Sequence, residues 1–151
     1  MKAKILILLV IIIIVNGCSK NADSVKPELS FDNVNGTTFR LNSTITFVLT
    51  LKSATNGIAK DTLFIARKFF TCPFITTDTT FYQIPTYNGV KNQKASIEYT
   101  FQYGGGGKFN GCINTSGSAS RTDSLNYFFW VKDSNGNASD TIKSPKIILL
   151  K

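Results

Sequence analysis

Few side chains in this 151-residue sequence are suited to catalysis, because it contains no histidine and only nine acidic residues. Hydrolysis by a carboxylate pair requires two acids that converge on one cleft. The acids here are scattered among predicted turns and strand ends, and Asp61 with Asp123 is an example of a pair that would serve. We therefore expect no enzymatic activity, with a carboxylate-dependent hydrolase as the less favoured alternative.

Two loops partly match the patterns of a calcium-binding loop and a phosphate-binding loop, and both are incomplete. Asp133, Asn135 and Asn137 alternate as calcium ligands do, but serine occupies the position of the bidentate glutamate in such a loop. The run Gly104–Gly107 precedes Lys108, yet neither serine nor threonine follows that lysine and no helix is predicted after it. Two spare cysteines without histidine cannot complete a tetrahedral zinc site. We expect no metal and no cofactor.

The start of the sequence has the parts of an export signal. Lys2 and Lys4 precede the apolar run Ile5–Val15, and a small residue, Gly17, stands before Cys18. A membrane-spanning helix needs about 20 apolar residues, so this run is too short to cross a bilayer. The pattern predicts a signal peptide over residues 1–17.

Residues 15–18, which read Val-Asn-Gly-Cys, resemble the lipobox of bacterial lipoproteins. The resemblance implies that Cys18 becomes the lipid-modified first residue of the mature chain and anchors it to a membrane without a transmembrane helix. Ser19 after the cysteine implies sorting to the outer membrane of the bacterial cell envelope. Two alternatives stay open, namely a plain secretory signal cut near Gly17 and an uncleaved N-terminal anchor.

One folded domain is expected after the leader. The segment 18–27 has almost no apolar side chain and contains Pro27, which is typical of a flexible, solvated tether. Residues 28–151 are long enough for a single core. Export exposes Cys72 and Cys112 to oxidising conditions, so we expect a disulfide between them, with two buried free thiols as the alternative.

Turn signals divide this domain into short segments rich in Thr, Ile, Val, Phe and Tyr, and no segment shows a sustained helical period. In the clearest segment Ile45, Phe47, Leu49 and Leu51 share one face, as in a half-buried antiparallel strand. The pattern predicts an all-β fold of about seven strands in two facing sheets. The predicted strands are Glu28–Asp32, Thr38–Leu41, Ser43–Leu51, Thr62–Lys68, Ala95–Tyr103, Asn126–Lys132 and Lys143–Leu150.

Residues 123–137 resemble the last two strands, with the intervening turn, of immunoglobulin-like and fibronectin type III-like modules. The sequence Asp-Ser-Leu-Asn-Tyr at 123–127 continues through Phe129 and Val131 to a turn at Gly136. The resemblance implies an antiparallel immunoglobulin-like β-sandwich in which Tyr127 packs inward and bonds to backbone upstream. It implies a fold and no particular function.

Large aromatic side chains are predicted on the outside of the last long strand. If its odd-numbered residues face the core, period two sends Phe128 and Trp130 to the outer face. The aromatic segment Phe69–Asn88 either folds back to cover them or forms with them an exposed platform for a ligand. The candidate ligand-binding residues are Phe74, Tyr82, Tyr87, Phe128 and Trp130.

The formal net charge of +8 is spread along the chain rather than clustered. Binding of nucleic acid would require clustered cations on a recognised fold, so we expect no nucleic-acid partner. The sequence thus favours a lipid-anchored, non-enzymatic module of the cell envelope that binds a protein or a glycan, because aromatic faces serve both. A structural spacer without a ligand of its own is the alternative.

Overall fold

The computed structural model describes residues 26–53, 56–58, 60–70, 78–91, 93–105 and 122–150. Its elements are all β-strands, so the predicted all-β class is confirmed for this part of the chain. No helix in these residues has the length and apolarity to span a membrane. The strands are β1 (Glu28–Val34), β2 (Thr38–Arg40), β3 (Thr44–Lys52), β4 (Asn56–Ile58), β5 (Thr62–Phe69), β6 (Asp78–Gln83), β7 (Tyr87–Lys91), β8 (Lys94–Gln102), β9 (Thr122–Lys132), β10 (Ile142–Lys143) and β11 (Ile147–Leu150).

Most of these strands belong to two principal sheets. The smaller sheet has the order β1-β3-β8, and the larger has the order β2-β11-β9-β5-β6, with β10 also paired to β9. Paired strands are antiparallel except β2 and β11, which run parallel. The short strands β4 and β7 pair separately with each other.

The two principal sheets pack face to face around Phe47, which lies in the middle strand of the smaller sheet and is fully buried. Its ring centroid is 4.8 Å from that of Tyr127 and 5.2 Å from that of Phe129, both on β9. Tyr99 of β8 contacts Tyr82 of β6 at a centroid distance of 5.4 Å. Strand β3 therefore lies over β9, and β8 lies toward the β5–β6 side of the larger sheet.

Six of the seven predicted strands are present with similar bounds, but the structure corrects the number and direction of the strands. The described residues contain eleven strands rather than about seven, because β4, β6 and β7 were not predicted and one predicted strand is divided in two. The predicted strand Lys143–Leu150 is divided into β10 and β11 around Pro145, which has no N–H to donate to a sheet. The parallel pair of β2 and β11 corrects the expectation of a wholly antiparallel fold.

Two buried serines maintain the hydrogen bonding of β9 where the neighbouring chain departs from it. The backbone N–H of Ser144 donates to Tyr127 O at 2.8 Å, and Tyr127 N–H donates to Ser144 Oγ at 2.9 Å. Ser139 does the same for Val131, with its N–H donating at 2.8 Å and its Oγ accepting at 2.9 Å. In both places a hydroxyl replaces the carbonyl that a regular strand would supply.

Candidate functional site

A row of three aromatic rings crosses the outer face of the larger sheet. Phe81 of β6, Phe64 of β5 and Trp130 of β9 are direct cross-strand partners. Side chains directly opposite each other in neighbouring strands lie on the same face. The ring centroids of Phe64 and Trp130 are 5.3 Å apart, and those of Phe64 and Phe81 are 6.2 Å apart. We call Phe81, Phe64 and Trp130 the aromatic row.

The rings of this row stack on each other rather than forming one flat surface. Phe64 and Trp130 are inclined by only 7°, and at 5.3 Å two parallel rings must be offset and partly overlapping. Each of them therefore uses one ring face on its neighbour. Phe81 stands at the sheet edge, is tilted by 42° from Phe64 and has 71% of its surface exposed. It is the most accessible ring of the row.

Basic side chains surround the aromatic row. Lys132 is the cross-strand partner of Thr62, two residues along from Phe64, and Lys143 is the partner of Phe128. Lys68 lies on the same face, since it is in register with Asn126. The described strand positions on this face carry no acidic side chain. The face therefore combines aromatic surface with positive charge.

A second feature lies on the opposite side of β6, between the two principal sheets. An open cavity of about 400 Å³ is lined by Leu63 and the segment 82–85 from the larger sheet and by Ala95–Thr100 of β8 from the smaller sheet. Because six consecutive residues of β8 line it, the backbone edge of that strand forms one wall. This volume lies within the range of roughly 300–1,000 Å³ that is usual for ligand cavities.

Tyr99 places a polar group in this cavity wall. The residue is only 8% exposed, and its buried hydroxyl makes only a poorly aligned hydrogen bond with Tyr82 among the described residues. Burial raises the pKa of Tyr99 above its ordinary value, and the nearby Tyr82 and Tyr127 raise it further. The hydroxyl therefore remains protonated at neutral pH and has a hydrogen to donate.

The structure divides the residues that we predicted to act together. Phe128 and Trp130 lie half-buried on the outer face, while Tyr127 and Phe129 are buried in the core, as the alternation predicted. Tyr82 is 45% exposed but lies on the inner side of β6 at the cavity, so it does not join Phe128 and Trp130 in one surface.

The predicted cover over the outer aromatics is also corrected in part. Residues 78–83 do not fold over the outer face but extend the sheet as the edge strand β6, paired with β5. They add Phe81 to the aromatic row instead of covering Trp130. Tyr87 lies in β7, whose backbone pairs with β4.

Four predicted residues lie outside the described part of the chain. They are the expected lipid anchor Cys18, the expected disulfide partners Cys72 and Cys112, and the candidate ligand contact Phe74. The predictions for them therefore stay predictions.

The candidate acid pair is not supported, because Asp61 and Asp123 lie at opposite ends of the sheet. Asp61 precedes Thr62, which pairs with Lys132 at the end of β9, whereas Asp123 lies near its beginning. The length of β9 between them is about 30 Å, at about 3.3 Å per residue. That is far more than the roughly 5–9.5 Å that separates the carboxyl groups of glycoside hydrolases.

The rejected calcium motif forms a turn that is closed by its own hydrogen bonds. Asp133 Oδ1 accepts from the N–H of Asn135 at 2.9 Å and of Asn137 at 2.7 Å, and Oδ2 accepts from Asn137 Nδ2 at 3.0 Å. A carboxylate that caps backbone N–H groups in this way has a structural role. No group of three potential metal ligands occurs in the described residues.

Two residues of these surfaces were not recognised from sequence. Phe64 is in a predicted strand, but only its register with Trp130 and Phe81 shows that it links them. Tyr99 was assigned to a strand without a role, because an unsatisfied hydroxyl becomes visible only when its neighbours are known. The alternation of β8 did place Tyr99 on the inner face and was the available signal.

Comparison with solved structures finds similar folds at very low sequence identity. The alkylpurine DNA glycosylase AlkC of Pseudomonas fluorescens, bound to DNA containing an abasic site analog, matches with a TM-score of 0.50 and 11% identity over 92% of this chain and 33% of its own. The sporulation control protein Spo0M of Bacillus subtilis has a TM-score of 0.46 and 8% identity, over 83% of this chain and 50% of its own. A beta-glucosidase of Listeria innocua has a TM-score of 0.48 and 9% identity, over 82% and 16%.

These matches concern the fold alone, because their sequence identity is so low. The chain spans half or less of the length of each of these three proteins. No protein-family model matches the sequence, and no curated protein matches it significantly.

Proposed function

We propose that this protein is a lipid-anchored, non-enzymatic binding module of the bacterial cell envelope. Cys18 holds it on the outer membrane, residues 18–27 form the tether, and an immunoglobulin-like β-sandwich carries the binding surface. The partner is a glycan or a protein that contacts the aromatic row.

The sandwich assignment is supported by the arrangement of the two principal sheets. They pack through Phe47 and Tyr127, and the strand order β1-β3-β8 against β2-β11-β9-β5-β6 follows the two-layer plan of such modules. Burial of Tyr127 on β9 agrees with the position that the resemblance gives to this tyrosine.

The observation that carries the proposal is the partly exposed aromatic row with basic side chains around it. A spacer without a ligand requires neither a coherent aromatic patch nor a cavity, and the described residues contain both. Exposed large apolar side chains that cluster usually mark an interaction surface. Phe81 offers an accessible ring, while Lys132 and Lys143 favour a partner that carries negative charge.

A hydrolase is the weaker candidate. Its carboxylates would have to converge, and Asp61 and Asp123 do not. Glu98, the acid at the cavity, is exposed on the outer side of β8 while its neighbours Ile97 and Tyr99 face inward. This arrangement favours binding over hydrolysis.

Membrane anchoring is tested with Cys18→Ser. Fractionation of cells should find the wild-type protein in the membrane pellet and the variant in the soluble fraction, because loss of the acyl chains removes about 0.8 kcal/mol per buried CH₂. Intact mass measurement of the wild type should show an acylated chain that begins at Cys18. A variant that stays with the membranes would argue for an uncleaved anchor.

Binding through the aromatic row is tested with the fluorescence of Trp130, the only tryptophan in the chain. The titrants are a soluble peptidoglycan digest, purified lipopolysaccharide and candidate envelope proteins. Phe81→Ala should weaken any binding at least about tenfold, as expected for loss of an anchor residue worth more than about 1.4 kcal/mol. Leu41→Ala removes a similarly exposed apolar side chain from the turn after β2 and should leave binding unchanged.

A further inference from the structure

The two principal sheets differ in width, and the difference leaves one position beside the smaller sheet that no described strand fills. The smaller sheet has three strands and the larger has five along its main path, with β3 lying over β9. Strand β6 therefore extends beyond β8, the last strand of the smaller sheet. The chain continues from β6 into β7, but β7 pairs with β4 and does not join β8. The cavity of about 400 Å³ occupies this place.

The edge of β8 that faces the cavity is not paired with any described strand. Among the described strands only β3 pairs with β8, and it does so in unbroken register over nine residue pairs. In an antiparallel pair every second residue directs its N–H and C=O away from its partner. The remaining N–H and C=O groups of β8 thus point toward the cavity, along about 20 Å for the six residues that line it.

Unsatisfied polar atoms mark the same strand. Gln93 Oε1, one residue before β8, is buried without a hydrogen-bond partner in the described residues, and the buried Tyr99 hydroxyl on β8 has only a poorly aligned interaction with Tyr82. Buried polar groups in folded proteins are nearly always hydrogen-bonded, so a polar side chain of a segment beside β8 would find hydrogen-bonding partners here. Leu63, Ile84 and Ile97 supply apolar wall surface near Tyr99, and polar residues such as Gln83 and Glu98 also line the cavity.

We infer that the cavity is a docking groove for one extended peptide segment of a partner protein, which adds a fourth strand to the smaller sheet beside β8. Strand addition of this kind derives affinity from backbone hydrogen bonds and specificity from alternate side-chain pockets. The segment has apolar residues at every second position against Leu63 and Ile97. It has a hydrogen-bonding side chain opposite Tyr99 and a basic one opposite Glu98, which is exposed on the outer side.

This groove lies on the inner side of β6 and the aromatic row on its outer side, so the two sites are independent. A glycan on the row and a peptide in the groove would occupy opposite faces of the same strand. The inference about the groove does not depend on membrane anchoring or on the partner of the row.

The probe is the synthetic peptide KTVTSKVTK, with blocked ends, which places valines inward at two alternate positions, serine between them and lysine opposite Glu98. The control peptide KTVVSKTTK has the same composition but breaks the period of two. Hydrogen exchange of the full chain in detergent, followed by mass spectrometry, reports on the segment Lys94–Gln102. A Kd of about 0.5 mM would slow exchange there about threefold at about 1 mM probe, since protection scales as one plus the ratio of ligand concentration to Kd.

Variants locate the effect in the groove. Ala95→Trp places a large ring on the inner face of β8 and should abolish the protection. Val48→Trp places the same ring on the outer face of the neighbouring strand β3, away from the residues that line the cavity, and should preserve it. Tyr82→Arg changes a half-exposed residue of the cavity wall, where a longer side chain does not overpack the core, and it should also abolish the protection.

Three results would each overturn the inference. The first is no slowing of exchange with either peptide, and the second is equal protection in wild type and Ala95→Trp. The third is slow exchange of the whole segment Lys94–Gln102 in the protein without peptide. Slow exchange at every protein concentration would indicate that another part of this chain already occupies the edge, and slow exchange only at high concentration would indicate that a second copy does.

Discussion

Phe47 is the residue whose removal should damage the fold most. Its ring is fully buried and lies within 6.4 Å, centroid to centroid, of five other aromatic rings: Phe31, Tyr99, Phe101, Tyr127 and Phe129. Replacing a buried Phe or Trp with alanine lowers the free energy of unfolding by about 3–5 kcal/mol. Aromatic pairs contribute about 0.5–1.5 kcal/mol beyond the area that they bury, so we expect the upper part of that range.

The expected effect of Phe47→Ala is a loss of about 4–5 kcal/mol in the free energy of unfolding. The total free energy of unfolding of a domain of this size is about 5–15 kcal/mol. The variant should therefore be marginally stable, with a Tm lower by about 15 °C or more. Urea unfolding followed by far-ultraviolet circular dichroism and by Trp130 fluorescence measures it. The two signals should coincide, because one core unites both sheets.

Two control variants separate the effect of burial from that of the substitution itself. Phe47→Leu keeps much of the apolar volume but loses the aromatic contacts, so it should cost about 1–3 kcal/mol, less than Phe47→Ala. Phe81→Ala, at an exposed position, should change the stability by no more than about 0.5 kcal/mol. A loss below about 2 kcal/mol for Phe47→Ala would refute the assignment of Phe47 to the contact between the two sheets.

Three further changes have defined outcomes. Ser144→Ala leaves the buried N–H of Tyr127 without an acceptor and should cost about 1–3 kcal/mol in urea unfolding. Gly104→Ala should cost about 1–2 kcal/mol, because Gly104 has a φ of 79° and a Cβ there would stand 2.4 Å from Leu41 Cδ1. Burial raises the pKa of Asp61 above 3.8, so the folded protein loses stability as the pH rises from about 4 through that raised pKa. Asp61→Asn should therefore gain stability relative to wild type at pH 7 and gain none at pH 3, and an equal effect at both would contradict this origin.

Strands with clear alternation were predictable from sequence alone. On β3, Ile45, Phe47, Leu49 and Leu51 are all fully buried, as their spacing indicated. The same reasoning placed Phe129 in the core and its neighbours outside. Period two decides these positions because one face of each strand meets the core and the other does not.

The missed elements lack that signal. In β6 the large residues Phe81 and Tyr82 are adjacent, so each face of the strand carries one of them and no apolar face is evident. The aromatic row and the cavity lie on the two sides of β6, so neither could be located from the sequence. The pairing of β2 with β11 joins residues more than a hundred positions apart, and its parallel direction depends on the whole chain path.

The two serines beside β9 also determine how the end of the chain aligns with it. Strand β10 has only two residues, Ile142 and Lys143, too few for apolar alternation to fix which residues stand opposite each other. A slip by one position would bring a proline or a lysine to the place of Ser144, and neither side chain can accept a hydrogen bond. The N–H of Tyr127 would then be buried without a hydrogen-bond acceptor. The position of two hydroxyl groups thus specifies the register here, whereas in most sheets the pattern of apolar side chains specifies it.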